Sequence, residues 1–213
     1  MAEEFTLTRI EAALRRTQAD LSELGLRWAL VGGFVVSARA VPRFTRDLDL
    51  AVAVPHDKAA EALVASLVAR GYRVVAVVEQ TGVSRLATVR LIPPGESEQG
   101  VVVDLLFASS GIEVEIVAAA DTIEVLPSLL VPVAKAGHLL ALKVLSRDDA
   151  ERPQDAADIH ALLDELSTED ARLAVEAAAL IQDRGFNRSR DIVAGVRRAL
   201  ASRHRHPGPT HTS

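Results

Sequence analysis

Apolar and polar positions alternate along this chain with two different periods, and the change of period marks the predicted elements. Apolar side chains recur every three to four residues between Thr8 and Gly25, and Thr8 and Glu11 have the spacing of a capping box. The run 28–31 is short and wholly apolar, which is typical of a buried strand. The chain is therefore predicted to open with a helix, a strand and a second helix, over residues 8–24, 28–31 and 34–40.

The next region changes to the two-residue period of strands. The segment 47–54 alternates at its start and then becomes apolar, which is typical of a central strand with one polar end. Pro55 and Gly71 bracket a helical pattern, with Pro55 predicted to open the helix. Further β-like runs predict additional strand structure at residues 72–78, 86–92, 101–107 and 113–126.

Beyond Pro127 and Pro132 the pattern becomes helical, which marks a predicted boundary in the chain. The predicted helices cover residues 134–146, 155–166, 168–184 and 191–203. The predicted organisation is thus a strand-rich core, a helical domain and a disordered tail, over residues 1–126, 127–203 and 204–213.

Composition narrows the class of protein. Hydrophobic residues make up 49% of the 213 residues, enough for one core with a small helical appendage. The acidic start and the lack of a long uncharged apolar run predict a soluble, cytoplasmic protein. Because there is no cysteine, disulfides, thiolate zinc sites and thiol nucleophiles are excluded. The net charge of −5 argues against bulk electrostatic binding of nucleic acid, although a local basic groove stays compatible with it.

Three aspartates are the strongest chemical signal. In a strand, Asp47 and Asp49 share one face, where their mutual repulsion is usually relieved by a divalent cation such as Mg²⁺. Taken alone, the two also fit a polar strand end. Asp104 interrupts the apolar run 101–107, and a buried carboxylate needs a compensating charge. Either a metal shared with the other two or an arginine such as Arg90 would supply that charge, and the paired aspartates favour the metal.

A glycine pair, Gly32 and Gly33, stands between the first predicted strand and the second predicted helix. Backbone N–H groups at such a junction are able to hold a phosphate at a helix N-terminus. A tight turn accounts for an isolated glycine pair equally well.

Taken in order, these motifs resemble the DNA polymerase β-like nucleotidyltransferase superfamily. The resemblance rests on the glycine pair, the run Arg43-x-Thr45-x-Asp47-x-Asp49 and the lone Asp104 on a later strand. More narrowly, the segments 139–147 and 153–159 are similar to AbiEii-type nucleotidyltransferase toxins of bacterial toxin–antitoxin systems. One departure is Gly33, which stands where many superfamily members have serine.

The resemblance implies an α+β fold, with a mixed-sheet nucleotidyltransferase core and a helical domain that closes over a nucleoside triphosphate. It implies that Asp47, Asp49 and Asp104 bind Mg²⁺ while an acceptor hydroxyl attacks the α-phosphorus. The residues implied to contact the triphosphate are Gly32, Gly33, Arg43, Thr45, Lys143 and Arg147. The implied acceptor is RNA, notably the tRNA 3′ end, and the implied protein partner is a cognate antitoxin.

The helical half contributes the remaining candidates. Lys143 lies in an apolar helix, where a lysine ordinarily extends its ammonium group to solvent. The resemblance implies instead that this lysine faces the triphosphate. Arg147 has the same implied role, or stabilises the end of its helix. Asp158 is implied to orient one of these two cations, whereas helix capping explains Asp155. His160 is predicted to be structural or exposed.

Two alternatives to RNA modification stay open at this point. The same chemistry suits a small hydroxylated acceptor, such as an antibiotic, or a protein side chain. A non-catalytic module that binds nucleotides or a partner would also keep the fold, although an intact set of costly buried carboxylates argues against it.

Overall fold

The computed structural model describes residues 2–39, 46–80, 82–147 and 153–203. Seven strands within these ranges form one mixed sheet in the order β3-β4-β5-β2-β1-β7-β6. The strands are β1 (Trp28–Val31), β2 (Asp47–Val52), β3 (Arg73–Gln80), β4 (Arg85–Ile92), β5 (Val102–Leu106), β6 (Asp121–Leu126) and β7 (Leu129–Val133). The helices are α1 (Ala2–Glu23), α2 (Gly32–Arg39), α3 (Asp57–Ala69), α4 (Glu113–Ala119), α5 (Ala136–Ser146), α6 (Pro153–Glu165), α7 (Thr168–Asp183) and α8 (Ile192–Arg203).

The three central strands carry the hydrophobic core. All four residues of β1 are buried, as are the apolar residues of β2 and the first four residues of β5. β2 and β5 run parallel, and β1 and β7 run parallel, whereas the other neighbours are antiparallel. Strands buried on both faces read as continuous apolar runs, which is why the sequence reveals them clearly. The predicted α+β class, with a mixed sheet and C-terminal helices, is confirmed.

Two predicted helix starts in the first half are wrong. α1 begins at Ala2, so Thr8 lies inside the helix and is not its N-cap. α3 begins at Asp57 rather than at Pro55, and His56 is its N-cap, with Nδ1 accepting a hydrogen bond from the Ala59 N–H at 3.2 Å. In both cases the periodicity is correct and only the capping residue was misassigned.

The segment after β5 departs further from its predicted β structure. Residues 113–119 form the helix α4, and only 121–126 form a strand. The Glu113 carboxylate turns back and accepts hydrogen bonds from the Ser110 N–H and hydroxyl at 2.7 and 2.9 Å. This local pairing satisfies donors ahead of the first helical turn, and the apolar run within the helix packs its Ile116 into the core.

The sheet continues past residue 126, where the sequence placed the end of the core. β7 contains Pro132 and reaches Val133, and its recorded pairing with β1 is confined to Leu30 and Val133. A proline is tolerated where the ladder on one side is this short. The helices α5 to α8 agree with their predictions to within two residues at each end. The division into a core and a helical domain stays a prediction, and the predicted tail 204–213 lies outside the described residues.

None of the helices in the described ranges combines the length and apolar character needed to cross a membrane.

Candidate active site

Four residues on four neighbouring strands form a row across the sheet. Arg90 of β4 is opposite Asp104 of β5, Asp104 is opposite Asp49 of β2, and Asp49 is opposite Val31 of β1. Residues that are opposite each other in a sheet share a face. Asp47, two positions before Asp49, lies on that face as well. The strand register therefore brings the three predicted carboxylates together, with an arginine at one end of the row.

Asp49 is the carboxylate at the centre of the row. Its pKa is raised to about 7, first by burial and then by the charges of Asp104 and Asp47, while the charges of Lys143 and Arg90 act in the opposite direction. Gly32 lies directly against this carboxylate: it has a φ of +75°, and a Cβ at this position would overlap with the Asp49 side chain. Gly32 is therefore required for two reasons, its backbone conformation and its closeness to Asp49.

Asp104 is paired with Arg90 in the structure. The Arg90 Nε and Nη2 donate to the two Asp104 carboxylate oxygens at 2.8 and 2.7 Å, and Nη2 lies 3.7 Å from an Asp47 oxygen. The bidentate geometry is the strong form of this interaction, and it raises the pKa of Arg90. The sequence favoured a metal over Arg90 as the partner of Asp104. In the structure Arg90, the alternative partner, contacts Asp104, and metal binding by Asp104 stays a prediction.

The row fits a divalent cation by the chemistry of its donors. Carboxylate oxygens are the ligands that Mg²⁺ prefers, and the charges of Asp104 and Asp47 act on the Asp49 carboxylate at the centre of the row. Within the described ranges, however, no three acidic, histidine or cysteine side chains are already arranged to hold a metal. Because Arg90 occupies both oxygens of Asp104, a cation shared by all three aspartates would require that side chain to move.

Lys143 projects from α5 toward the same face and is held by α6. Its Nζ lies 2.9 Å from Asp155 and 2.7 Å from Asp158, and all three side chains are nearly buried, with exposed fractions of 12%, 4% and 4%. The Ser146 hydroxyl also donates to Asp155, at 3.0 Å. Two carboxylates thus fix one ammonium group, and the positive charge of this group acts to lower the pKa of Asp49. The implied contact between Asp158 and Lys143 is present in the structure.

A cleft of about 570 Å³ lies between the carboxylate row and α5. This volume is within the range of small-molecule sites. Its walls combine the row and Lys143 with apolar side chains of the sheet and of α5. The lining residues that carry the argument below are Gly32, Asp49, Ala76, Val78, Gln80 and Arg188.

The other predicted site residues are placed as follows. Gly33 is buried in the first turn of α2. Arg147 is the exposed C-cap of α5, where its carbonyl accepts a hydrogen bond from Arg190 at 2.9 Å. His160 is exposed, as predicted. Arg43 and Thr45 lie outside the described residues.

Sequence reasoning missed two parts of this site. Asp155 was assigned to helix capping, yet it contacts Lys143, and its spacing of three from Asp158 is the available signal, because residues three apart share a helix face. Arg188, between α7 and α8, lines the cleft in a left-handed backbone conformation with φ of +52°. Nothing in the sequence pattern relates that loop to the cleft, because the contact depends on how the helices pack.

Solved structures similar to this one include the following two. One is an antigenic nucleotidyltransferase-like protein from Paracoccidioides brasiliensis, with 20% identity, 92% of this chain and 93% of that chain covered, and a TM-score of 0.48. The other is the antibiotic-resistance factor ANT(2″)-Ia, with 20% identity, 94% and 95% covered, and a TM-score of 0.46. No individually curated protein matches the sequence.

A family model extends the comparison over nearly the whole chain. The model of the nucleotidyl transferase AbiEii toxin, Type IV toxin–antitoxin system, matches residues 12–207. This span includes the carboxylate row, Gly32 and the pair of carboxylates around Lys143. Membership of this toxin–antitoxin family implies an antitoxin as partner. The chain therefore belongs to the AbiEii family of nucleotidyl transferase toxins.

Proposed function

We propose that this nucleotidyltransferase uses Mg²⁺ and moves a nucleoside monophosphate from a nucleoside triphosphate to RNA, at the 3′ end of a tRNA. The observation that carries the proposal is the placement of Asp47, Asp49 and Asp104 on one face of the sheet, beside a cleft that Lys143 also lines. Such a site offers negative charge for a divalent cation and positive charge for phosphate, which is the pairing that nucleotidyl transfer requires.

In the proposed mechanism, the three aspartates would hold the metal, which when bound would neutralise the phosphates and polarise the α-phosphorus. Backbone N–H groups at the start of α2, next to Gly32, bind phosphate oxygens. Lys143, held rigid by Asp155 and Asp158, offsets the negative charge that builds on the leaving pyrophosphate.

The acceptor hydroxyl attacks the α-phosphorus as the bond to the β-phosphate oxygen breaks, and pyrophosphate leaves. Asp104 receives the proton of that hydroxyl. For this role Arg90 has to release at least one of the two Asp104 oxygens, because a carboxylate that accepts two guanidinium hydrogen bonds is a poor base.

The choice of RNA as acceptor rests on the resemblance to the family, which implies it, and on the positive charges near the cleft. Arg188 lies at the cleft and Arg147 is exposed at the end of α5, so cations flank the cleft despite the net charge of −5. A local concentration of positive charge is sufficient to contact RNA phosphates.

The test is a labelling assay with the full chain and Mg²⁺. Each α-labelled nucleoside triphosphate is incubated with total tRNA, with bulk protein or with hydroxylated antibiotics. We expect label on tRNA and its loss in Asp49→Asn, while Asp164→Asn, at an exposed aspartate of α6, retains it. Label on protein or on an antibiotic, without label on tRNA, would show that the acceptor is not RNA. Full labelling of tRNA by Asp49→Asn would overturn the mechanism.

A further inference from the structure

The strand β3 leaves an apolar edge of the sheet open. In the part of the chain that the structure describes, β4 is its only strand neighbour. Its four valines have exposed fractions between 44% and 57%: Val74, Val75, Val77 and Val78. Natural proteins usually protect a sheet edge with inward charges, proline or a covering element. From Val74 to Val78 this strand has no charge and no proline, and two register shifts against β4 are the protection that it does have.

The sequence of β3 is symmetric about Ala76. It reads Arg73-Val74-Val75-Ala76-Val77-Val78-Glu79, with two valines on each side of the alanine and opposite charges at the two ends. In an antiparallel pair of two copies centred on Ala76, Arg73 of each copy would be opposite Glu79 of the other, and each remaining valine would be opposite a valine. The strand is therefore complementary to itself in shape, polarity and charge.

We propose that β3 is a self-association edge, at which a second copy of this chain adds its own β3 antiparallel around a two-fold axis through Ala76. Such an interface is isologous, because the same residues are used by both copies. The two symmetric Arg73–Glu79 pairs fix the register, since a shift by one residue would remove both pairs and turn each valine to the opposite face.

The expected dimer is weak and concentration-dependent. Two register shifts interrupt the β3–β4 ladder, between Val74 and Ala76 and between Val78 and Glu79, and such bulges twist the strand. They shorten the regular edge that a second copy is able to pair with. Arg73 forms an ion pair with Glu98 at 3.6 Å, with exposed fractions of 55% and 80%, and an exposed pair of this kind exchanges readily for another.

A second copy bound at this edge would lie next to the cleft. Ala76, Val78 and Gln80 line that cleft on the same wall as the carboxylate row. A second copy would extend this wall beyond the edge of the sheet. The proposal stands apart from nucleotidyl transfer, because it rests on the strand alone.

Charge reversal tests the interface. Sedimentation velocity of the full chain at rising concentration, up to about 1 mM, is expected to show a monomer–dimer equilibrium. R73E or E79R alone places like charges opposite each other twice, and each is expected to raise the dimer dissociation constant about tenfold or more. The double variant R73E/E79R is expected to return the dimer dissociation constant to the parent value. Val114→Lys, at an exposed valine of α4, is the matched control and leaves the equilibrium unchanged.

A cysteine at the axis tests the register. Because the chain contains no cysteine, Ala76→Cys introduces one thiol, and the two-fold axis brings it close to its own copy. We expect rapid oxidation to a covalent dimer, and much slower cross-linking of Val114→Cys. A monomer at every concentration without cross-linking would overturn the proposal. A dimer whose dissociation constant is unchanged by both R73E and E79R would also overturn it, since its interface would lie elsewhere.

Discussion

Arg90 and Asp104 lie directly opposite each other on neighbouring strands and form a bidentate ion pair at 2.8 and 2.7 Å. The two partners differ in exposure: the Asp104 side chain is 10% exposed and that of Arg90 is 42% exposed. Asp104 therefore depends on a cation, whereas Arg90 is able to reach solvent without leaving its strand. Because of this difference in exposure, Arg90 is the partner that a different cation is able to replace at Asp104.

Removing that arginine is expected to make stability depend on Mg²⁺. Arg90→Gln leaves the Asp104 carboxylate with no charged partner on β4, which should lower the free energy of unfolding by about 1–3 kcal/mol. Added Mg²⁺ should restore part of this loss, because the cation then binds a carboxylate that no longer has a competitor. Urea unfolding with and without Mg²⁺ measures both effects.

Arg46→Gln is the matched control. Arg46 is exposed and its Nη1 donates only a 3.2 Å bond to the Gln99 carbonyl among the bonds recorded for it, so a change within about 0.5 kcal/mol is expected. Equal stability of Arg90→Gln and the parent in the absence of Mg²⁺ would contradict the dependence of Asp104 on Arg90.

Gly32 and Gly25 allow backbone conformation and steric contact to be separated. Both have a positive φ, +75° and +67°, but an added Cβ meets the Asp49 carboxylate at Gly32 and nothing within 4 Å at Gly25. Gly25→Ala should cost about 1 kcal/mol and retain nucleotide transfer. Gly32→Ala should cost more and abolish transfer, because Asp49 has to move. Activity and urea unfolding of the two variants measure this difference, and normal transfer by Gly32→Ala would refute it.

The sequence predicts most of this fold because the central strands are buried on both faces. β1 reads as a short apolar run that ends at a glycine pair, β2 alternates and then becomes apolar, and α5 to α8 keep a helical period. The prediction failed at residues 113–119, where Val114, Ile116 and Val117 favour a strand by propensity. The segment forms a helix because one side of it packs into the core, and this tertiary packing is not part of a residue's β-propensity.

The candidate site was predictable where its residues lie on strands. Asp47 and Asp49 share a face by the strand period alone, and the register of β2 with β5 adds Asp104. The contact between Lys143 and Asp155 depends on how α5 packs against α6, so a local capping role explained Asp155 until the helices were placed. The choice between Arg90 and a metal likewise depends on the pairing of β4 with β5, which the sequence does not specify.

Lys143 is expected to be as important for stability as for catalysis. Lys143→Met removes the cation between two carboxylates that are each 4% exposed, and an uncompensated buried charge typically costs about 3–5 kcal/mol. The double variant Lys143→Met/Asp155→Asn should recover part of that loss, since it also removes one of the two charges. Urea unfolding of the single and double variants gives the coupling energy, and a simple sum of the two single effects would contradict this network.

Asp20 links folding to pH at a distance from the cleft. Its carboxylate is 6% exposed and accepts hydrogen bonds from Arg16, Tyr72 and Arg70 at 2.7, 2.9 and 3.0 Å. Burial alone would raise the pKa of Asp20, but these three donors together lower it below its ordinary value of 3.8. The unfolded chain therefore binds a proton at this carboxyl more readily than the folded chain does.

The sign of the pH effect follows from this difference. Stability from Asp20 is fully present above pH 3.8 and is lost as the pH falls through the lower pKa of the folded state. Asp20→Asn should lower the free energy of unfolding near neutral pH by about 1–3 kcal/mol. It should also flatten the decline of stability below pH 4, by at most about 1.4 kcal/mol per pH unit. Asp164→Asn, at an exposed carboxyl, serves as the control and should keep the parent's slope. If unfolding curves of Asp20→Asn and the parent decline in parallel with acid, Asp20 is not the group that links folding to pH.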